Sequence, residues 1–395
     1  MKRALVLGAG FYYARSLQKI REGGFHVIAV DRDPHAPGAA QADEFYPVDI
    51  TDHQGVLELA RRTRPDCVIP LNEFGMQAHA LVSAALGLPG VGPEQVAAVV
   101  DKQAMRQAWE KAGLRQPRFH ACRSQEQVAD AAGQIGFPCL IKPADSGGSG
   151  RGVIIINRPG ETAEGFAFAL PHARNGVVLV EEFIPGVELT VEGLCCRGRH
   201  AILAVSDKVK PPLRTRVATS LNYPAYFNGA AMAKAKGLVD AAVRALGLTD
   251  CATHTELIIT PQGEPFLVEM GARGGGGHIF STIVEAVSGV NMPVALANIL
   301  SGQEPQWQAT QARGACYRFF TPPAGTITAI EGVEQARNLH GVLDIGMFKK
   351  PGDQVRELVN SQERTGFVVT TGPDRESAWR LANEVERRVR IAIAA

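Results

Sequence analysis

Two glutamates, Glu256 and Glu269, stand on either side of a predicted tight turn at a spacing that would set their carboxylates face to face. Residues 253–260 read as one strand, Pro261, Gln262, Gly263 and Glu264 as a four-residue turn, and residues 265–269 as the returning strand. If Thr260 pairs with Pro265, Glu256 pairs with Glu269. Like charges directly opposite one another destabilise a sheet, so the pair needs a protonated carboxylate, screening solvent or an intervening cation. A hard divalent metal answers that need. The plain structural alternative is a solvated hairpin edge whose register is one residue off. If the strand continues, Gly271 and Arg273 share the face of Glu269, which brings a guanidinium fork suited to carboxylate or phosphate beside the metal site.

Other charged residues fall where phosphates could be held. Lys142 ends a buried-type strand over 139–142, and the next segment, Asp145 to Gly152, has four glycines in eight residues. No Gly-Lys-Ser/Thr tripeptide occurs, which excludes a Walker loop, whereas a glycine hairpin between two strands can fold over a triphosphate. Lys102 follows Asp101, a fitting N-cap, and so lies in a first helical turn where the dipole disfavours a cation; it is either a phosphate ligand or a solvated lysine. Glu188, Thr190 and Glu192 alternate with Val187, Leu189 and Val191, giving a polar strand face that is either solvated or able to bond ribose hydroxyls. Lys208 and Lys210 alternate onto one face ahead of Pro211, Pro212, Arg214 and Arg216, and Lys208 reads as a further phosphate contact. Glu73 is a candidate for an amino group or a loop acid. His278 is a candidate substrate contact or a helix-start residue with no chemistry.

The elements that must position these groups begin with alternating strand and helix over residues 4–7, 14–22, 27–30, 55–62, 67–71 and 76–86, which implies α/β organisation on a parallel sheet. Gly8 and Gly10 open the first crossover and Asp31 closes the second strand, yet the third glycine position of a dinucleotide fingerprint holds Tyr13. Asp374 begins a last amphipathic helix of structural role. The chain has 395 residues, enough for two or three domains. Its 41 basic and 40 acidic residues nearly balance, and no basic run interleaved with aromatics tracks a nucleic acid. Seven scattered cysteines without a Cys-x-x-Cys pair suit reduced thiols, and the expected compartment is the cytosol. No apolar run reaches membrane-spanning length, and none is expected to span.

In order, Lys102, Lys142 with its glycine loop, Glu181-Glu182-Phe183-Ile184 with Glu188, Glu256 with Glu269, and the stretch from Glu269 through Arg273 to Gly276 resemble the ATP-grasp superfamily. Within it the chain is most similar to the carboxylate-amine ligases, L-amino-acid ligases included, which carry a similar Glu-x-Gly-Ala-Arg stretch. The resemblance implies an ATP-grasp fold, α+β in the ATP-binding part, behind a parallel-sheet N-terminal domain at 1–100. The small subdomain and hinge would span 101–190, the large subdomain with the metal site 191–310, and a C-terminal ligase subdomain 311–395. It implies that Lys102 and Lys142 hold ATP phosphates under a loop around Ser149, that Glu181 and the backbone at Ile184 read adenine, and that Glu188 holds ribose. Glu256 and Glu269 would bridge Mg2+ (or Mn2+), and Arg273 would face an acyl phosphate. Many relatives carry Asn where this chain has Gly271, so a second metal would rely on water or the glutamates. The expected activity is ATP-dependent amide formation between a small-molecule carboxylate and an amine, one of them an amino acid, in a possible homodimer. The alternatives are a bicarbonate-activating carboxylase and a non-catalytic nucleotide-binding regulator.

Overall fold

Four apolar runs, each bracketed by turn residues, build the first sheet. The computed structural model describes residues 1–395 except Ser146, Ser149, Asn228 and Ala395. Strands Glu44–Tyr46, His26–Val30, Arg3–Leu7 and Cys67–Pro70 lie side by side in that order, all parallel. Residues of Arg3–Leu7 alternate between two cores: Ala4 and Val6 meet helices Ala14–Glu22 and Met292–Leu300, whereas Leu5 and Leu7 meet helices His53–Thr63 and Met76–Leu86. Burial on both faces explains why these strands are continuously apolar. The Gly8–Gly10 turn is tied down by Asp31, whose carboxylate accepts the Ala9 N–H at 2.8 Å. Tyr13 fills the third glycine position and lines the cleft described below.

A four-stranded antiparallel sheet follows, ordered Phe119–Cys122, Val178–Glu182, Cys139–Pro143, Ile154–Ile156 and backed by helices Gln125–Ile135 and Thr162–Ala169. The largest sheet has eight strands, ordered Pro265–Gly271, Cys251–Ile259, Val187–Cys196, Arg199–Val209, Ser220–Tyr223, Gly314–Phe320, Gly366–Gly372 and Val342–Met347. The expected boundary at 190 therefore falls inside the Val187–Cys196 strand, and strands from both sides of the expected 310/311 boundary share this sheet through the pairing of Ser220–Tyr223 with Gly314–Phe320. Along Val187–Cys196, Leu189 and Val191 pack with Trp109, Leu257 and Leu267 as expected, whereas Val187 at the start of the strand is exposed. The opposite face is not solvated, because Thr190 and Glu192 are wholly buried.

The hairpin differs from expectation in a way that leaves its outcome unchanged. Ile259, rather than Thr260, pairs with Pro265, and Thr260 donates its N–H to Glu264 O at 3.0 Å. A bulge at Val268 then restores the offset, so Glu256 does lie opposite Glu269. No single helix among the described residues is long and apolar enough to cross a membrane, and the bent apolar pair Ile279–Ser288 and Met292–Leu300 is core.

Leu194, fully buried in the central strand of the large sheet, is a sensitive point for this frame. Leu194→Ala is expected to cost about 2–5 kcal/mol by leaving a cavity, read as a lower urea-unfolding midpoint.

Candidate active site

The large sheet, the four-stranded sheet, the Gly8–Gly10 turn and the segment after Gly314–Phe320 converge on one cleft of about 710 Å³. At its floor Glu256 and Glu269 face each other across the hairpin, and each carboxylate has a lysine from another element. Lys208, from strand Arg199–Val209, places Nζ 2.5 Å from Glu256 Oε1 and 2.8 Å from Glu188 Oε1. Lys102, in the first turn of helix Lys102–Lys111, places Nζ 3.2 Å from Glu269 Oε1. Asp101 caps that helix through the Ala104 N–H, as expected, and the unfavourable dipole position of Lys102 is offset by its acidic neighbour. Burial opposes ionisation of both glutamates. For Glu256, Lys208 and His254 outweigh it, and for Glu269 Lys102 does, so both carboxyls are held below their ordinary value. Lys210 also bonds Glu188, so that carboxylate lies between two ammonium groups.

One wall is the four-stranded sheet. Lys142 Nζ is 2.8 Å from Glu181 Oε2. Sequence reasoning missed Arg106, one helical turn after Lys102 on the same helix: its Nε donates to Glu181 Oε1 at 2.8 Å and its Nη2 to Glu181 Oε2 at 3.2 Å. Arg106 also donates to the carbonyls of Leu267 and Val268 at 3.2 and 2.9 Å and lies over the Trp109 ring. Glu181, expected to read adenine, lines the cleft with both carboxylate oxygens held by these cations. Burial favours its neutral form, yet Arg106 and Lys142 hold its pKa down at about 2. The backbone from Glu182 to Ile184 lines the cleft beside it.

At the other wall Glu73 leaves a turn just beyond strand Cys67–Pro70, buried, with its Oε2 3.9 Å from Arg273 Nη2. Burial raises the Glu73 carboxyl against the pull of Arg273. Gly147 and Gly148, at φ of +66° and +81°, press so close that a Cβ at either would strike Phe74 (2.5 Å) or Glu73 Oε2 (3.0 Å). The positive φ values at both positions favour glycine. Ser149 lies outside the described residues. His278, expected as a substrate contact or a helix-start residue, stacks on Phe367 with centroids 4.4 Å apart and meets Tyr12 and Tyr317, two rings of the cleft wall, edge-on. A buried pair also escaped notice: His254 Nδ1 lies 2.6 Å from Glu192 Oε1, and Glu192 Oε2 accepts the Gly275 N–H. Glu192 thereby ties the glycine loop after Arg273 to the strand carrying Glu256.

Two opposed carboxylates are a hard-oxygen donor pair suited to Mg2+, which is commonly held by one or two protein carboxylates with phosphates and water completing its shell. Among the described residues no third acidic, histidine or cysteine ligand joins them.

Comparison with known proteins agrees with this geometry. An ATP-grasp domain model matches residues 107–273, and an L-amino acid ligase C-terminal domain 2 model matches residues 318–394. The chain is 30% identical to a formate-dependent phosphoribosylglycinamide formyltransferase of Ignicoccus hospitalis, over 95% of this chain and 93% of that one. Two solved structures share the fold: an L-amino acid ligase from Bacillus licheniformis (TM-score 0.83, 21% identity, covering 100% and 99% of the two chains) and a phosphoribosylglycinamide synthetase from Anaerococcus prevotii (TM-score 0.77, 21% identity, 100% of both). The chain belongs to the ATP-grasp superfamily, among its carboxylate-amine ligases, and is an ATP-dependent enzyme that forms C–N bonds.

Removing Arg106 leaves the buried Glu181 with Lys142 alone. Arg106→Ala is expected to destabilise by about 3–5 kcal/mol, as breaking buried pairs does. Because the folded pKa of Glu181 (about 2) lies below its ordinary 4.5, its contribution to stability is present above pH 4.5 and is lost as pH falls toward 2. Acid-unfolding curves of wild type and variant should therefore converge as the pH falls through that window.

Proposed function

We propose that this ligase uses ATP to activate the carboxylate of an amino acid as an acyl phosphate and then joins it to an amine, releasing ADP and phosphate. The observation that carries this reading is the Glu256–Glu269 pair, held by Lys208 and Lys102, in the same cleft as the Arg273–Glu73 pair. Phosphoryl transfer depends on positioning and charge neutralisation, which this set of cations and carboxylates supplies. Glu256 and Glu269 would hold Mg2+, which would supply neutralisation of phosphate charge.

In this reading Lys102 and Lys142 hold phosphates, with Lys208 as a further contact. The backbone at Ile184 meets adenine, and Glu188 meets ribose. Arg273 holds the reacting carboxylate so that one of its oxygens attacks the γ-phosphorus while ADP departs. The amine nitrogen then attacks the acyl carbon, the bond to the phosphate oxygen breaks, and the nitrogen loses a proton. Glu73, opposite Arg273, receives the amino group of the activated amino acid, so the two charges fix the two ends of an α-amino acid. The match of residues 318–394 to an L-amino acid ligase C-terminal domain supports the same substrate class.

A second reading is activation of a one-carbon acid, formate or bicarbonate, the first in keeping with the formate dependence of the Ignicoccus hospitalis relative. Chromatography of nucleotides after incubation with Mg2+ and ATP separates the two. ADP appearing only with a mixture of amino acids supports the first, ADP with formate or bicarbonate in their absence supports the second, and AMP overturns both. Glu269→Ala is expected to lower ADP formation by at least roughly 10²-fold, the scale of losing one electrostatic group in such a site. Near-normal turnover in that variant, with circular dichroism unchanged, would remove the metal assignment.

A further inference from the structure

Behind the opposed glutamates runs a series of buried contacts that the proposed reaction does not use. Glu192 is wholly buried in strand Val187–Cys196, directly opposite His254 on the neighbouring strand. Its Oε1 lies 2.6 Å from His254 Nδ1 and its Oε2 accepts the Gly275 N–H at 3.2 Å, so both oxygens are engaged. The other ring nitrogen, His254 Nε2, is 3.5 Å from Glu256 Oε1, the same oxygen that Lys208 meets. His254 and Glu256 share one strand face, and both line the cleft. The imidazole is thus held between two carboxylates, one of them a candidate metal ligand.

The far end of the series is built as closely. A Cβ at Gly275 would come within 2.8 and 2.9 Å of the two Glu192 carboxylate oxygens and 2.7 Å of Ile279 Cγ2, and one at Gly274 within 2.1 Å of the Phe280 ring. Two consecutive glycines let the loop lie against Glu192. The side chain that precedes them is fastened to the same loop, since Arg273 Nη1 donates to the Gly274 carbonyl at 2.9 Å. From the Glu256 carboxylate to the Arg273 guanidinium the contacts therefore run through His254, Glu192 and the Gly274–Gly275 backbone. A buried ion pair adds little net stability, yet losing one partner is costly, so its effect is to fix geometry. The geometry fixed here is that between a metal carboxylate and the guanidinium that would act on the same reacting group.

We propose that Glu192 and His254 are positioning residues that set the Glu256 carboxylate and the Arg273 loop at a fixed separation, so that binding of a divalent cation at Glu256 depends on the backbone at Gly275. Removing a partner that orients a metal ligand changes metal affinity by about 10–100-fold. The inference rests on the metal reading of Glu256 and Glu269 and adds the residues that hold one of them in place.

Mn2+ serves as the probe, its free concentration read by electron paramagnetic resonance during titration of the full chain with ADP present. His254→Gln keeps a donor for the buried Glu192 but cannot bond two carboxylates on opposite sides. It is expected to bind Mn2+ about 10–100-fold more weakly, with circular dichroism unchanged. Gly275→Ala, whose methyl group would push the loop off Glu192, should weaken Mn2+ binding by a similar factor from the other end. The double variant should bind no more weakly than the weaker single, because both changes cut one series of contacts. Wild-type affinity in either folded single variant, or losses that add in the double variant, would overturn the proposal; if Gly275→Ala does not fold, His254→Gln alone decides. Glu269→Ala separates this inference from the metal reading. Affinity lost there but kept in His254→Gln overturns the positioning role alone, whereas undiminished affinity in Glu269→Ala overturns the metal assignment and this inference together.

Discussion

Everything in the cleft is arranged around the repulsion between two carboxylates placed opposite each other on one hairpin. Two unit charges about 4 Å apart interact by roughly 4 kcal/mol at the effective dielectric of a protein surface, and by more where water is excluded. Glu256 and Glu269 are tolerable only because Lys208 and Lys102 arrive from a different strand and a different helix. Once those lysines are required, the Arg199–Val209 strand must lie within reach of Glu256, and helix Lys102–Lys111 must point its N-terminus at Glu269. The eight-stranded sheet and the helix against its apolar face, through Met105 and Trp109, meet both conditions.

The same logic extends outward as a set of buried charges with fixed partners. Glu181 lies between Arg106 and Lys142, Glu188 between Lys208 and Lys210, and Glu192 between His254 and the Gly275 N–H. Burial disfavours the His254 imidazolium, yet Glu192 raises its pKa to about 9, which keeps the ring charged over the neutral range. Buried ion pairs add little net stability, but removing one partner is expensive, which makes them effective at fixing geometry. Against this rigid floor stands the segment bearing Gly147 and Gly148, whose backbone conformations and close contacts with Phe74 and Glu73 demand glycine. The enzyme thus sets its fixed charges on regular elements, with Gly147 and Gly148 lining the cleft beside them.

Much of this was legible in the sequence, for identifiable reasons. Helices 14–22 and 76–86 follow from periodicity between clear turn signals, and Asp101 is a cap readable by type and position. The facing of Glu256 and Glu269 was right although the turn was misread, since the displaced pairing at Pro265 and the bulge at Val268 compensate one another. Bulges have no strong local signal, so that agreement owed something to chance. Arg106 did carry a signal, its i, i+4 relation to Lys102, but only the tertiary approach of the Val178–Glu182 strand shows what it bonds. The burial of Glu192 was hidden because strand alternation distinguishes two faces without saying which is wet.

The central claim is that an amino acid carboxylate becomes an acyl phosphate in this cleft. It is tested most directly by running the reaction with amino acids whose carboxylate oxygens are ¹⁸O and analysing the released phosphate by mass spectrometry. An acyl-phosphate path transfers one carboxylate oxygen to each phosphate, so ADP and singly labelled phosphate should appear in equal amounts. Unlabelled phosphate accompanying amide product would contradict it.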